Sequence, residues 1–285
     1  MMTQRNDVLS FDTFVTPPVP VVTNDLPPGQ SMRAWSPTTA TLISGERDAV
    51  LVDALMTMEQ GRALADWIAG TGKNLTTIYV THGHGDHWFG SGVIQERYLG
   101  VRLVALPGVI EQMRRQISPS AFNAFWDSRF PGQIQRDVMV AEPISGLRIE
   151  LEGNELIAVD AGHTDTDCTT VLYVPSIDLV VAGDVVYNDV HIYLAESDHD
   201  KRMEWIRALD AIEALRPRAV VAGHKRAGRS DDPRIIEETR AYIRDFDRIA
   251  DGAGSAEELY QEMLRLHPDR SNPGALWSSA RATKG

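Results

Sequence analysis

Leu75-Thr76-Thr77-Ile78-Tyr79-Val80 runs directly into Thr81-His82-Gly83-His84-Gly85-Asp86-His87. The first six residues are mostly β-branched, aromatic or apolar, which is the signature of a strand. Three imidazoles and a carboxylate therefore emerge from the end of a rigid element that can hold them in place. Imidazole nitrogen and carboxylate oxygen are the donors that zinc takes at roughly 2.0–2.2 Å, and iron and manganese accept the same set. In extended backbone His82 and His84 point to the same side and can share one ion. Asp86 and His87 are displaced from that pair and can address a neighbouring ion, while Gly83 and Gly85 allow the sharp turn between them.

Three later places repeat the arrangement. His163 follows Val159-Asp160-Ala161-Gly162, Asp184 follows Val180-Val181-Ala182-Gly183, and His224 follows Val220-Val221-Ala222-Gly223. In each, a short apolar run delivers one polar group after a glycine. Taken singly, such steps are ordinary turn chemistry or a satisfied structural histidine. Seven titratable groups buried together without an ion would stay unpaired, at a cost of several kcal/mol. The pattern predicts a site for two metal ions. The remaining histidines, His191, His199 and His267, lie in polar or loop contexts and are expected at the surface or just behind the site.

Around these positions the chain alternates. Five of the 15 prolines fall in the first 30 residues, so residues 1–30 are expected to be an irregular arm. A hairpin is predicted over 38–44 and 49–52, a helix over 59–69 and a strand over 101–106. A broken helical stretch follows at 108–130. Strands are expected at 147–151, 155–159, 170–174 and 179–182, then a helix over 200–215 and a strand over 219–222. Helices opening at Asp232 and at Ser255 close the chain. Two sheets with helices outside both would cover every apolar face, in a main domain over 31–250 with a helical tail, 251–285, packed on it.

The whole chain narrows the field further. It has 285 residues, 43% hydrophobic, with a net charge of −12, a globular composition whose acidity repels phosphate backbones and anionic lipid. No run approaches the ~18 apolar residues of a membrane span, and the amino terminus lacks the apolar run of a secretory signal. The lone Cys168 excludes an internal disulfide and suits a reducing cytosol. A cytoplasmic protein with a small-molecule substrate is expected, with no nucleic acid or membrane partner; a homodimer is allowed. Gly90-Ser91-Gly92 is not a nucleotide loop, since neither a third glycine nor Lys-Ser/Thr completes it.

In that order, His82-x-His84-x-Asp86-His87, His163, Asp184 and His224 resemble the metallo-β-lactamase superfamily, from about Thr38 to His224. The resemblance implies an α/β fold, a four-layer αββα sandwich of two mixed β-sheets flanked by helices. It implies that His82, His84 and His163 bind a first zinc, that Asp86, His87 and His224 bind a second, and that Asp184 bridges them, with iron or manganese as substitutes. Asp53, at the end of an early apolar run, would brace the ligands from behind. True β-lactamases have Cys or Ser where Asp184 stands. The bridging Asp is similar to glyoxalase II, acyl-homoserine lactonases and RNase Z. The acidic charge argues against RNase Z, and Gly83 stands where glyoxalase II has a third histidine. Tyr187, three residues after Asp184, matches lactonases.

The implied activity is hydrolysis of a small ester, lactone, thioester or amide by a hydroxide between two metals. Asp86 or Asp184 would carry the proton and Tyr187 would help to stabilise the oxyanion. The alternatives are a mononuclear iron oxidoreductase like the persulfide dioxygenases, on His82, His163 and Asp184, a β-lactam hydrolase, and a non-catalytic binding member. The last predicts missing ligands, and none is missing. Flavin-linked diiron reductases need an added domain for which the 61 residues after His224 are too few. Trp88 and Phe89, and Phe122, Phe125 and Trp126 in the broken helical stretch, are the candidate pocket walls.

Overall fold

The computed structural model describes residues 9–285. Its first sheet contains β1 (Ser10–Val15), β4 (Thr39–Ser44), β5 (Asp48–Val52), β6 (Asn74–Tyr79), β7 (Arg102–Ala105) and β8 (Glu142–Pro143), hydrogen-bonded in that order. β2 (Val19–Pro20) and β3 (Ala34–Trp35) form a separate two-residue pairing. The second sheet has the order β13-β12-β11-β10-β9, with β9 (Arg148–Leu151), β10 (Asn154–Gly162), β11 (Thr169–Val174), β12 (Leu179–Asn188) and β13 (Ala219–Lys225). Both sheets are mixed: β5 to β8 run parallel, as do β12 and β13, and the other neighbours are antiparallel. The sheets meet face to face where β4 contacts β13 and β5 contacts β9.

Helices cover the outer faces. On the first sheet lie α1 (Met58–Gly70), α2 (Ser91–Arg97) and α3 (Pro107–Gln116); α4 (Pro119–Ala121) is a single turn leading into a π-helical turn, Phe122–Asp127. α1 starts because Thr57 and Gln60 satisfy one another's backbone N–H groups, at 3.1 and 3.0 Å. On the second sheet lie α5 (His199–Ala214), α6 (Ile235–Gly252), α7 (Ala256–Leu266) and α8 (Pro273–Lys284). Leu259, Met263 and Leu276 of the last two helices are buried with Ile243 and Phe246 of α6 and Val186 of β12, so the tail shares one core with the sheet. Full burial of each such side chain contributes about 1.5–3 kcal/mol, and the site is mounted on this rigid framework.

Three expectations need correction. The arm is not irregular throughout: Ser10–Val15 pairs antiparallel along the edge of β4, because its β-formers precede the first proline, Pro17, and leave every donor available. Residues 1–8 of the arm lie outside the described residues. β12 and β13 continue past their expected ends and carry the candidate ligands inside them; the β12–β13 register shifts on both sides of Gly183, and β10 shifts between Asp160 and Gly162. Such irregularities re-aim side chains beside functional sites. Finally, α8 answers to Asn272-Pro273, a proline at the first helical position that the expectation of two closing helices passed over.

Candidate metal centre

The seven expected ligands come from four places in the two sheets and their loops. His82, His84, Asp86 and His87 follow β6, the latter two within a single 3₁₀ turn, Gly85–His87. His163 follows the bulged end of β10, and Asp184 and His224 lie within β12 and β13. The two glycines before the last pair are required. Gly183 has φ +51°, and a side chain there would meet Thr81. A Cβ on Gly223 would sit 2.2 Å from Asp184 Oδ1 and 2.9 Å from the His87 ring.

Each histidine is oriented by the nitrogen that faces away from the centre. His87 Nδ1 donates to Asp53 Oδ2 at 2.9 Å, and His224 Nδ1 donates to the Pro37 carbonyl at 2.8 Å. His163 Nδ1 bonds Asp167 Oδ1 at 2.6 Å, and His82 Nδ1 meets Thr81 Oγ1 at 3.0 Å. His84 is reversed: its Nε2 bonds Glu196 Oε1 at 3.0 Å, leaving Nδ1 to face inward. Asp53 anchors this layer, since it also accepts from the backbone and hydroxyl of Thr81. Partners of this kind hold a ligating ring in one tautomer and orientation.

The inward atoms converge. Three triads have donor atoms all within 4.8 Å of one another: His82, His87 and Asp184; His82, His84 and Asp165; and Asp86, His87 and His224. Sharing His82 and His87 links them into one cluster. His87 Nε2 lies 3.2 Å from Asp184 Oδ1, while His224 Nε2 lies 3.2 Å from Asp184 Oδ2 and 3.3 Å from Asp86 Oδ2. Yet His82 Nε2, His87 Nε2, His163 Nε2, Asp165 Oδ2 and Asp184 Oδ1 are buried and make no hydrogen bond. Those of His82, His87, Asp165 and Asp184 lie near one another but misaligned for hydrogen bonding and aim at shared points, which is the arrangement that suits a cation; unpaired burial is otherwise costly.

His163 departs from expectation. It lies outside all three triads, and Asp165 stands beside His82 and His84 instead, its Oδ2 2.8 Å from His84 Nδ1 and 3.5 Å from His82 Nε2. The chain turns tightly after the β10 bulge, with Thr164 N donating to the Thr166 carbonyl, and this carries Asp165 inward. Asp165 is fully buried and was missed; the alternating carboxylates of His163-Thr164-Asp165-Thr166-Asp167 were the available signal. Tyr187 is buried as well, and its hydroxyl is engaged: it donates to Asp184 Oδ2 at 2.7 Å. It steadies that carboxylate rather than offering a free donor.

A cavity of about 300 Å³ opens above the cluster, with Asp86, Asp184, His84 and His224 on its floor. Of the expected wall residues, Phe125 and Trp126 line it, while Trp88, Phe89 and Phe122 are core. Trp88 instead braces the motif turn, its Nε1 donating to the Gly83 carbonyl at 3.0 Å. The main wall residue missed from sequence is Trp35, which packs edge-on against Phe125 and donates from Nε1 to Asp86 Oδ2 at 2.8 Å. No local pattern links positions 35 and 86. Tyr193 also lines the cavity, its ring 5.9 Å from that of His84; Lys225 is taken up by Asp231 at 2.7 Å. His191 is buried rather than superficial, bonding the Tyr242 hydroxyl at 2.9 Å, whereas His199 is largely exposed against Asp247.

Charges in the cluster are strongly coupled. Burial raises the Asp86 carboxyl, and His87 and His224 beside it together outweigh that and hold it far below the usual range. Burial disfavours protonated His224, but Asp184 and Asp86 push it up to about 10. His82, with burial dominant, is pushed down. Asp184 is held well below normal by His224 and His87 against its own burial. The carboxylates thus stay ionised, and positive charge must sit among them, as protons or as metal.

The description "Metallo-beta-lactamase superfamily" matches residues 33–224. The chain belongs to that superfamily. Its fold is similar to that of a metallo-beta-lactamase family protein from Thermus thermophilus, with a TM-score of 0.63 and 21% identity over 93% of this chain and 91% of the other. A metallo-beta-lactamase from Pontibacter korlensis gives 0.58 and 17%, over 82% of this chain and 99% of that one. DIM-1 metallo-beta-lactamase, in a crystal exposed to ceftazidime, gives 0.58 and 16%, over 85% and 94%. No curated protein matches by sequence. No helix among the described residues is long and apolar enough to cross a membrane.

Proposed function

We propose that the chain is a dinuclear metal-dependent hydrolase acting on a small, carbonyl-containing substrate such as an ester, lactone, thioester or amide. The observation that carries the reading is the set of buried, unbonded donor atoms on His82, His87, Asp165 and Asp184, converging beneath an open cavity. The donor set fits hard or borderline divalent cations, zinc first, with iron or manganese acceptable. His82, His84 and Asp165 would hold one, with His163 adjacent; Asp86, His87 and His224 would hold the other, and Asp184 lies between. Two cations held there act as Lewis acids and bring the ionisation of water near neutral pH.

This chain's own residues do the rest. Water's oxygen bonds the carbonyl carbon, the acyl bond breaks, and water's protons are shared between the leaving group and the medium. Asp184, at the cavity floor, is positioned to accept the first proton, and Tyr187 holds its Oδ2 in place. Asp86 stays ionised and is held in place by the Trp35 indole N–H, and the proton taken up by Asp184 would pass to the leaving group. Trp35, Phe125 and Trp126 exclude bulk water from the face of the substrate.

Elemental analysis of purified protein, run beside a panel of lactones, thioesters, esters and β-lactams, tests the reading. About two zinc per chain with turnover of the acyl compounds is the expected result. One specific feature favours a second reading: His82, His84 and Asp165 form a two-histidine, one-carboxylate set, the pattern of mononuclear iron oxygenases. One iron per chain with oxygen consumption and no hydrolysis would replace the first reading with the second.

A further inference from the structure

Above the floor, the cavity wall carries two guanidiniums, Arg33 and Arg129. They differ in one respect. Arg33 is neutralised: its Nη1 meets Asp25 Oδ2 at 3.0 Å, and its Nη2 donates to the Gly274 carbonyl at 2.8 Å and to the Ser278 hydroxyl. Asp25 is fully occupied, since it also accepts from Arg281 at 2.7 Å and from Trp277 Nε1 at 3.0 Å. Arg129 has no carboxylate within 4.0 Å among the described residues. Only its Nη1 is bonded there, to the Phe125 and Ala124 carbonyls at 3.1 and 3.5 Å, which leaves Nε and Nη2 without partners.

That open edge is not loose. The Arg129 guanidinium lies over the Phe125 ring, 4.0 Å from its centroid, and the Arg129 carbonyl accepts from Val22 N at 3.0 Å. The stack fixes the plane of the fork, and the backbone bond ties the broken helical stretch to the amino-terminal arm. Partial burial, and then the neighbouring Arg33 charge, press the Arg129 pKa downward, and Asp25 and Tyr193 offset this only in part. In a chain of net charge −12, an unpaired guanidinium held flat in the cavity above the donor cluster is an anion site. A planar fork of this kind matches a carboxylate with two parallel hydrogen bonds.

We propose that Arg129 anchors the substrate and that this pocket takes a carboxylate-bearing molecule. Its charged end would bond the Nε–Nη2 edge, an apolar or aromatic segment would lie along Trp35, Phe125 and Trp126, and the far end would present the carbonyl to the floor. This inference rests on the hydrolase reading for the chemistry at the floor, but not for the binding. A 300 Å³ cavity is at the small end for ligand sites, so the molecule is compact.

The test is equilibrium binding to the full chain, with metal content measured on the same sample. The probes are 3-phenylpropanoate and its neutral amide, followed by the fluorescence of the cavity tryptophans. The acid should bind roughly tenfold or more tightly than the amide, and Arg129→Gln should remove most of that preference while leaving amide affinity in place. Two results would overturn the proposal: equal affinity of the unmodified chain for acid and amide, or an acid preference untouched in Arg129→Gln. The first stands whether or not the variant folds well. A sample lacking metal that keeps an Arg129-dependent acid preference would sink the hydrolase reading and leave this inference standing.

Discussion

The floor and the wall of the cavity are built in opposite ways. On the floor, every functional atom is delivered by a buried strand or the turn directly after it, and each histidine is locked by a nearby oxygen: Asp53, Pro37, Asp167, Thr81 or Glu196. The wall is assembled from segments distant in sequence: Asp25 of the arm with Arg33 and Trp35 just after it, the broken helical stretch with Phe125, Trp126 and Arg129, Tyr193 after β12, and α8 with Gly274 and Ser278. Catalytic geometry tolerates little displacement, so it sits where packing is densest. Substrate preference can shift with the wall while the floor stays intact.

Substitutions on the floor should therefore be severe and should act through metal, whereas those on the wall should act through substrate. The largest effect is expected for His82→Ala, since His82 belongs to two of the three triads. Metal content and activity should vanish together, and a variant that keeps both by elemental analysis and assay would break the assignment. Next comes Asp53→Ala, which frees His87 and Thr81 without touching a donor atom. Metal affinity should fall about 10–100-fold in competition with a chelator. Wild-type affinity would show that Asp53 only shapes the turn.

Tyr187→Phe should follow, with a loss in kcat of about tenfold and unchanged metal stoichiometry, because its single bond to Asp184 steadies the carboxylate without supplying a ligand. A loss of metal instead would move Tyr187 into the structural layer of the floor. Trp35→Phe keeps the apolar face and deletes the hydrogen bond to Asp86; a change of a few-fold in kcat/KM is expected, about 1 kcal/mol. If KM alone moved, Trp35 would belong wholly to the wall.

The smallest effect lies away from both regions. Burial, with Arg270 and His267 nearby, pushes the His191 pKa down to about 3 from 6.5. A group depressed on folding takes up a proton more readily when unfolded, so its contribution is complete above pH 6.5 and declines as pH falls toward about 3. His191→Asn should flatten the acid limb of the Tm-against-pH curve over that window, while metal content at neutral pH stays the same.

The floor was legible in the sequence because its information is local. A β-forming run, a glycine and a candidate donor recur at His163, Asp184 and His224, and the dense motif at 82–87 needs no partner to be recognised. Asp165 escaped although it was adjacent to a named residue, since only the tight turn after the β10 bulge decides which of His163 and Asp165 faces His84. Trp35 and Arg129 carried no signal: an aromatic or a cation in an unpatterned segment looks like any other until the segment is seated.

Sequence alone determined the sandwich architecture, the apolar strands that deliver the candidate donors and the chemical type of those donors. Periodicity and glycine placement constrain backbone over short range, where each residue acts on its immediate neighbours. Tertiary structure alone decided that Trp35 reaches Asp86, that Tyr187 is spent on Asp184, and that Arg33 is paired while Arg129 is not. Those outcomes depend on which distant segments come to lie side by side, and on which charges find a partner there, quantities that exist only once the chain has closed on itself.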